Sequence, residues 1–406
     1  MSNKTIWILN MTAGKPDSGW GERHYYFSKF WVKKGYDIKI VSGSYNHLFH
    51  NQPKIENKRF TLEKVEDGIT FCWVKIPRYD GGSIYKLWSM IVFAFKILSL
   101  SPKLLGKPSY ILVSSMPIFP ILSGWYLKNK FKAKKLFFEI RDLWPLTPMY
   151  LNGYSKWHPM ILVMKWIERF GYRKSDAIVS LLPNAHKYIN PISKDVSKFN
   201  WIPNGIDELL LEKQKLPKET IKLIPENKFI VGYTGTMGMA NALEYLIEAS
   251  ILLKDNTAIH FVLVGDGYLK AALQTSVSEN SNVTFINKIN KNQVQHMLTY
   301  FDVCFVGRNN TPLFDYGVSS NKFFDYMLAK KPIISSSNKI NDPVELSGCG
   351  YLVKPESAQK ISDAILEIHQ LKDSEKNELG NKGFEYVKEY HNFNYLSSLY
   401  IKLFEY

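Results

Sequence analysis

A polar segment near residue 320 combines a cation, an acid and a helix start. Ser320 and Asn321 are favoured N-cap residues, so the sequence predicts a helix over Asn321–Ala329. Lys322 and Asp325 then lie in its first turns, where backbone N–H groups and the helix dipole favour an anion. A carboxylate one turn into the helix can also accept hydrogen bonds from sugar hydroxyls. A capped helix of an ordinary α/β domain is the structural alternative.

Two glycine-containing loops follow predicted strands in the same half of the chain. Gly235 and Gly238 come after the strand Phe229–Tyr233, and their missing side chains would let the backbone approach a diphosphate closely. Asp266 lies between two glycines after the strand Ile259–Val264. Parallel strands end at one edge of a sheet, so both loops and the helix start near residue 321 would lie together. Tight packing alone also favours glycine, which keeps each loop a weak signal by itself.

A third loop, near the beginning of the chain, carries charged residues directly after glycine. Gly21 would allow a turn that exposes Glu22, Arg23 and His24 to a ligand. The alternative is a surface helix with Glu22 in its first turn.

A second charged group in this half follows the predicted strand Lys135–Ile140. Arg141 and Asp142 come at its end, after Glu139 within the strand. The carboxylate of Asp142 could orient an acceptor, and the cation of Arg141 could stabilise the charge of a phosphate. A salt-bridged strand end is the alternative. The sequence has no Asp-x-Asp motif, and none of its nine histidines has metal-ligand spacing, so we expect no metal.

The elements that must position these residues alternate in two series, which predicts two doubly wound parallel sheets. The predicted strands of the first series are Thr5–Asn10, Asp37–Val41, Tyr110–Val113, Lys135–Ile140, Ala177–Ser180 and Phe199–Ile202, with a hairpin over Glu63–Ile76. Those of the second are Phe229–Tyr233, Ile259–Val264, Val283–Ile286, Val303–Val306 and Pro332–Ser335. We therefore expect an α/β fold with a domain over 1–203, a second over 204–385 and a C-terminal helix over 386–406 that returns to the first.

Composition limits the partners. The chain of 406 residues is 45% hydrophobic and 22% charged, with a formal charge of +15, which calls for an anionic partner: nucleic acid, a membrane surface or a phosphorylated substrate. Lysines flank the apolar stretch Leu87–Leu100, which suits either an interfacial helix or a core helix.

Three widely spaced cysteines indicate buried thiols in a reducing, cytoplasmic compartment. Prolines interrupt the uncharged stretch Pro108–Leu127, so peripheral attachment is favoured over a membrane span.

Several motifs resemble retaining glycosyltransferases of family 4, and the resemblance covers nearly the whole chain. Val318–Lys322 resembles the donor-nucleotide motif, Arg141–Pro145 the Arg-Asp-Leu-Trp-Pro block of bacterial O-antigen and capsule transferases, and Trp201–Asp207 the family's hinge. Among these enzymes the chain is most similar to the fucosaminyltransferase type. The resemblance implies a GT-B fold, in which two Rossmann-like domains flank an interdomain cleft and C-terminal helices pack back across it.

The resemblance also implies site residues. Asp325 would hold the ribose of a UDP-sugar, whereas the family's earlier acid is replaced by Gly317 and its two basic diphosphate residues by Thr236 and Asn241. The implied donor-binding residues are Gly21, Gly235, Thr236, Gly238, Asp266, Arg308, Ser320, Asn321, Lys322 and Asp325, with Lys288 as a further cation near the diphosphate. The implied catalytic residues are Glu22, Arg23, Arg141 and Asp142.

The resulting functional hypothesis is retaining, metal-independent transfer from a UDP-sugar, with an N-acetylated deoxyamino sugar as one candidate. The acceptor would be a lipid-diphosphate-linked saccharide at the inner face of a bacterial plasma membrane, in surface polysaccharide synthesis. No other cofactor and no nucleic acid is expected. The alternatives are a sugar-nucleotide 2-epimerase of the same fold and an inactive, membrane-associated binding protein.

Overall fold

The chain forms two compact units, Met1–Asn204 with Phe393–Tyr406, and Gly205–Asn392. The computed structural model describes residues 4–79, 84–206, 214–277, 282–337 and 341–405. Asp207, the last residue of the hinge motif, lies outside these ranges. Each unit is built on its own sheet and is described separately.

The first unit contains an eight-stranded sheet. Its strands are β1 (Lys4–Leu9), β2 (Tyr36–Gly43), β3 (Phe60–Glu66), β4 (Ile69–Val74), β5 (Pro108–Ser114), β6 (Lys135–Ile140), β7 (Ala177–Ser180) and β8 (Phe199–Trp201). They lie in the order β3-β4-β2-β1-β5-β6-β7-β8. Only β3 is antiparallel, and it forms the predicted hairpin with β4. The chain order reverses between β1 and β5, and such a reversal opens a crevice at the carboxyl ends of the strands.

Seven helices of the first unit precede its last strand. They are α1 (Arg23–Lys33), α2 (Ile84–Ile97), α3 (Pro102–Leu105), α4 (Pro120–Phe131), α5 (Leu146–Asn152), α6 (Pro159–Lys174) and α7 (His186–Ser193). The uncharged stretch at 108–127 contains β5, at the predicted strand Tyr110–Val113, and the first part of α4. No helix of the described ranges is long and apolar enough to cross a membrane.

The second unit contains a six-stranded parallel sheet. Its strands are β9 (Phe229–Thr234), β10 (Ile259–Val264), β11 (Val283–Ile286), β12 (Val303–Gly307), β13 (Ile333–Ser336) and β14 (Gly350–Val353). The order β11-β10-β9-β12-β13-β14 is that of dinucleotide-binding domains, and it reverses between β9 and β12. β14 was not predicted, because it has only four residues and none of them is fully buried.

Helices cover both faces of this sheet. They are α8 (Lys218–Ile221), α9 (Leu243–Leu252), α10 (Lys270–Ser276), α11 (Val294–Leu298), α12 (Asn321–Leu328), α13 (Pro343–Ser347), α14 (Ala358–Gln370) and α15 (Asp373–Tyr390). The helix predicted to begin at Asn321 does begin there. Cys304 and Cys349 are buried in this unit and Cys72 in the first, all three as free thiols, as predicted.

The last helix, α16 (Phe393–Glu405), belongs to the first unit, whereas residues 386–390 still form the end of α15. Its aromatic side chains complete the core around α1. The ring of Tyr400 lies 5.1 Å from that of Phe27, and the ring of Phe404 lies 5.2 Å from that of Trp31. Because these rings are buried, α16 is an integral part of the first unit's core.

Candidate functional site

The strongest candidate site lies at the reversal of strand order in the second unit. The glycine loop 235–238 leaves the end of β9, and Arg308 directly follows β12. The hydroxyl of Tyr326 accepts a hydrogen bond from the Thr234 N–H at 2.9 Å, which fixes α12 against the end of β9. Two strand ends and one helix start therefore converge at the place where such sheets bind ligands.

Lys322 lies directly over the glycine loop. Gly235 has a φ of +145°, which favours glycine, and a Cβ atom there would come within 2.4 Å of the Lys322 Cε. The Lys322 ammonium donates a hydrogen bond to Asn241 Oδ1 at 2.8 Å, and the Asn241 amide donates to the Thr236 carbonyl at 2.9 Å. Asn241, at a position where the resemblance implies a basic residue, thus orients the lysine that comes from α12.

A second cation accompanies Lys322. The Arg308 guanidinium lies over the rings of Phe314 and Phe323, at 5.2 and 5.7 Å. Its buried Nε has no hydrogen-bond partner among the described residues. Burial, together with the charge of Arg308, lowers the pKa of Lys322 to about 7. Lys322 and Arg308 thus retain N–H donors for a ligand. Two such cations beside a helix start make a site for a multiply charged anion.

Asp325, the predicted ribose acid, is nearly buried in α12 and is paired with a cation. The ammonium of Lys291 lies 2.5 Å from each of its carboxylate oxygens. Lys291 begins a short 3₁₀ turn after β11, on the same sheet edge. Lys291 was not predicted, because no local pattern distinguishes it from neighbouring lysines such as Lys288. The Lys288 side chain is exposed.

The remaining predicted donor residues of this unit surround the same edge. Ser320 is the N-cap of α12 but makes no capping hydrogen bond with its side chain, and Asn321 is exposed. The Asp266 carbonyl accepts a hydrogen bond from the Met237 N–H at 2.8 Å, which joins the two glycine loops. Gly238 is buried at the end of the first loop. The structure therefore brings the donor residues predicted for this unit to one sheet edge.

In the first unit, the predicted exposure of Arg23 and His24 is wrong. Both side chains are buried and bind the carboxylate of Glu139, with Arg23 Nε at 3.0 Å and His24 Nε2 at 3.0 Å. The Tyr400 hydroxyl donates to the same carboxylate. Burial alone would raise the pKa of Glu139, but Arg23 and His24 hold it well below its ordinary range.

The environment of His24 also determines its tautomer. Asn10 Oδ1 accepts from the Thr12 N–H at 2.9 Å, so the Asn10 amide donates to His24 Nδ1, 3.1 Å away. His24 Nε2 then carries the proton that it donates to Glu139. Burial lowers the pKa of His24, which keeps the ring neutral. The arrangement joins β1, α1, β6 and α16 and is structural.

Arg23 has a further anchoring role. Its guanidinium donates to the Ile202 carbonyl at 2.8 Å and to the Pro203 carbonyl, at the end of the first unit's main segment. The side chain is buried and these contacts use most of its N–H donors, so Arg23 is not placed to bind phosphate. The sequence could not reveal this, because Glu139 lies 116 residues further along the chain.

The other predicted residues of this unit stay accessible. Glu22 is the N-cap residue of α1 and is partly exposed, next to Gly21, whose φ of +80° favours glycine. Asp142 is exposed and Arg141 partly so, at the end of β6. The Arg141 N–H donates to the Ser115 hydroxyl at 3.0 Å, which joins the ends of β6 and β5. These residues lie at the carboxyl edge of the sheet, where a ligand can reach them.

Within the described ranges, no group of three or more His, Cys, Asp or Glu side chains could hold a metal ion. The candidate site of the second unit is instead composed of cations, backbone and one paired acid.

The second unit matches a known protein family. Residues 228–370, which contain the sheet and the candidate site, match the family described as glycosyl transferases group 1. No curated protein is significantly similar to the chain in sequence.

Solved structures resemble the chain over its whole length. Sucrose-phosphate synthase from Thermosynechococcus elongatus has a TM-score of 0.75 at 18% identity, covering 99% of this chain and 100% of that one. HepE from Anabaena, in complex with UDP-glucose, has a TM-score of 0.68 at 13% identity, covering 99% of this chain and 100% of that one. A UDP-forming trehalose-phosphate synthase from Burkholderia xenovorans has a TM-score of 0.71 at 10% identity, covering 99% of each chain. At these identities the likeness shows the fold, and it confirms the predicted class of two parallel-sheet α/β domains of GT-B type.

Proposed function

We propose that this chain is a glycosyltransferase that uses a UDP-sugar as its donor. The observation that carries the proposal is the convergence of Lys322 and Arg308 on the glycine loop at the strand reversal, with Asp325 one turn away in α12. That arrangement provides cations for a diphosphate and a carboxylate for a ribose. The group 1 match of residues 228–370 supports transfer chemistry. The solved structure of HepE with UDP-glucose supports the choice of nucleotide.

The diphosphate charge is assigned to this chain's own groups. Lys322 and Arg308 neutralise the phosphate oxygens, the first amides of α12 donate hydrogen bonds, and the glycine loop admits the phosphates close to the backbone. Asp325 accepts hydrogen bonds from the ribose hydroxyls. These groups would stabilise the departing UDP in the transition state, where its negative charge increases. Independence from metal remains a prediction.

The reaction is proposed to retain the configuration at the sugar's anomeric carbon. The bond from that carbon to the UDP oxygen breaks, and a bond to the acceptor oxygen forms on the same face. The acceptor's hydroxyl proton passes to the departing phosphate. We assign orientation of the acceptor to Asp142 or Glu22 and stabilisation of phosphate charge to Arg141, since these three side chains are accessible in the first unit. Arg23 is left out of this assignment because it is buried and bound to Glu139 and to the carbonyls at 202 and 203.

The acceptor is proposed to be a lipid-diphosphate-linked saccharide at the inner face of a bacterial plasma membrane, in the synthesis of a surface polysaccharide. The charge of +15 supports an anionic acceptor of this kind. An N-acetylated deoxyamino sugar is the first donor to try, on the strength of the Arg141–Pro145 block.

The test is calorimetric titration of UDP, with GDP and ADP as comparisons, into the wild type, Asp325→Ala and Asp255→Ala. Asp255 is an exposed acid of the same unit and serves as the matched control. We expect UDP-selective binding that Asp325→Ala weakens at least tenfold and Asp255→Ala leaves unchanged. A protein that binds none of the three nucleotides would overturn the proposal.

A turnover assay then separates the enzyme classes. Incubation with UDP-sugars and a lipid-linked acceptor should release UDP in proportion to glycosylated product. Epimerised UDP-sugar without a glycosylated product would identify the 2-epimerase, and UDP binding without any turnover would identify a binding protein.

A further inference from the structure

Three neighbouring helices form one outer layer of the first unit. α2 packs against α4, and α4 packs against α6. The Ser123 hydroxyl of α4 donates to the Ala94 carbonyl of α2 at 2.6 Å. On the other side, the rings of Trp125 in α4 and Phe170 in α6 lie 5.4 Å apart. These contacts make the outward sides of the three helices a single surface.

This surface exposes large apolar side chains. Trp88 is 56% and Phe95 69% exposed on α2, and Trp166 is 59% exposed on α6. Trp157, in the turn just before α6, is 72% exposed. We call Trp88, Phe95 and Trp166, with the helix sides that carry them, the aromatic face. The same helices bury other apolar residues, such as Phe93, against the unit. The helices are therefore apolar on two sides, which a helix surrounded by water does not need.

The charged side chains that the three helices expose have one sign. Between Ile84 and Phe138 the sequence has nine lysines and no Asp or Glu. The only acid of α6 is Glu168, which is buried. Its pKa is raised, by burial, to about 8, so it is neutral at pH 7. Cations such as Lys96, Lys130 and Lys165 thus flank the aromatic face, and the three helices present no carboxylate to a partner.

We propose that the aromatic face binds the surface of an anionic lipid bilayer. Trp and Phe side chains suit the boundary between headgroups and acyl chains, and lysines beside them bind anionic headgroups. A second copy of this chain is a poorer occupant, because it would bring two sets of lysines together without any acid between them. The inference deepens the proposed function, since a lipid-linked acceptor is presented at such a surface, and its observations are independent of the donor site.

The test measures binding of the full chain to vesicles by co-sedimentation. The vesicles contain either phosphatidylcholine alone or phosphatidylcholine with 30% phosphatidylglycerol, and the wild type is compared with Trp88→Ser/Trp166→Ser. The control is Leu252→Ser/Leu346→Ser, which removes two side chains of the second unit that are 53% and 51% exposed. We expect the wild type and the control to bind anionic vesicles, and the aromatic variant to bind at least tenfold more weakly.

Charge is tested separately with Lys130→Glu/Lys165→Glu, which should weaken binding to the same anionic vesicles and reduce its salt dependence. A wild type that does not bind anionic vesicles would overturn the proposal. A dimer that Trp88→Ser/Trp166→Ser converts to a monomer, without vesicle binding, would overturn it in favour of a second copy. Equal loss of binding in the control would also overturn it.

Titration of UDP into the same variants separates the outcome of the vesicle test from the outcome of the donor-site test. The aromatic variant should bind UDP as the wild type does. Vesicle binding without UDP binding would support bilayer binding by the aromatic face and overturn the proposed function. UDP binding without vesicle binding would support the proposed function and overturn bilayer binding.

Discussion

The ammonium of Lys291 lies 2.5 Å from both carboxylate oxygens of Asp325, so the proposed ribose acid is paired with a cation of its own unit. A carboxylate has about four lone-pair sites, and one ammonium leaves some of them for ribose hydroxyls. Lys291 therefore positions Asp325 without occupying all of its accepting capacity. It also compensates a carboxylate that is only 12% exposed.

We predict that Lys291→Met weakens UDP binding by roughly tenfold, because Asp325 loses the partner that orients it. The variant should also lose about 1–3 kcal/mol in the free energy of unfolding, since a nearly buried carboxylate remains without its cation. Titration of UDP and urea denaturation measure the two effects. Lys288→Met, at a nearby exposed lysine, is the matched control. Tighter UDP binding by Lys291→Met would show instead that Lys291 competes with the nucleotide.

The second prediction concerns the pH dependence of UDP binding. Burial and the charge of Arg308 lower the pKa of Lys322 to about 7, so the ammonium charge is present below pH 7 and is lost above it. Bound phosphates favour the charged form, and binding above pH 7 must therefore take up a proton. UDP affinity should fall between pH 7 and 9, by up to about tenfold per pH unit.

Lys322→Arg should flatten this profile, because a guanidinium stays charged over the whole range. Titration calorimetry at pH 7, 8 and 9, in two buffers of different ionisation enthalpy, measures both the affinity and the proton uptake. Equal wild-type affinity at pH 7 and 9 would show that Lys322 is not the group that meets the phosphates.

Much of the second unit could be predicted from sequence because its signals are local. Buried strands are apolar runs that end in glycine loops, as at Gly235, and a helix start is marked by polar residues, as at Asn321. The donor residues follow these elements directly, so predicting the elements also predicts that the residues converge. The loop around Gly235 and the position of Lys322 were predictable for this reason.

The first unit's polar residues could not be predicted in the same way, because their partners are distant in sequence. Arg23 at a helix start looks accessible, yet its acceptors are Glu139 and the carbonyls at 202 and 203. Tyr400 reaches the same carboxylate from α16. Lys291 was missed similarly, since nothing near it in sequence indicates that Asp325 is its partner. Burial of a charge depends on such long-range pairs, which a single sequence does not reveal.

The third prediction tests whether the Glu139 network anchors the last helix. Tyr400→Phe removes the hydroxyl that donates to Glu139 and keeps the ring in the core. We expect a loss of about 1–3 kcal/mol in the free energy of unfolding at pH 7, since the lost bond is to a buried carboxylate. Urea denaturation measures it, with Tyr126→Phe as the control, because the Tyr126 side chain is 44% exposed. A loss no larger than that of the control would refute the anchoring role.

The last prediction concerns Glu168, whose carboxyl is buried and accepts hydrogen bonds from the hydroxyls of Tyr172 at 3.0 Å and Tyr188 at 2.9 Å. Burial raises its pKa to about 8, whereas its ordinary value is 4.5. Between these two values the folded protein holds a proton that the unfolded chain has released. Stability therefore falls as pH rises through this window, by up to about 1.4 kcal/mol per pH unit from this group alone.

Glu168→Gln removes the titration while keeping a neutral side chain of similar shape. The two tyrosines donate to different carboxylate oxygens, and in the amide one of these positions is an NH₂ group that cannot accept. This loss costs some stability at every pH, so the informative quantity is the slope. Relative to the wild type, the variant should gain stability steadily from pH 5 to 8, reaching on the order of a few kcal/mol. Urea denaturation at half-unit pH steps measures this gain. Glu226→Gln, which changes an exposed acid, is the control, and its free energy of unfolding should follow the same pH dependence as that of the wild type. Parallel curves for Glu168→Gln and the wild type would mean that Glu168 is already ionised at pH 7.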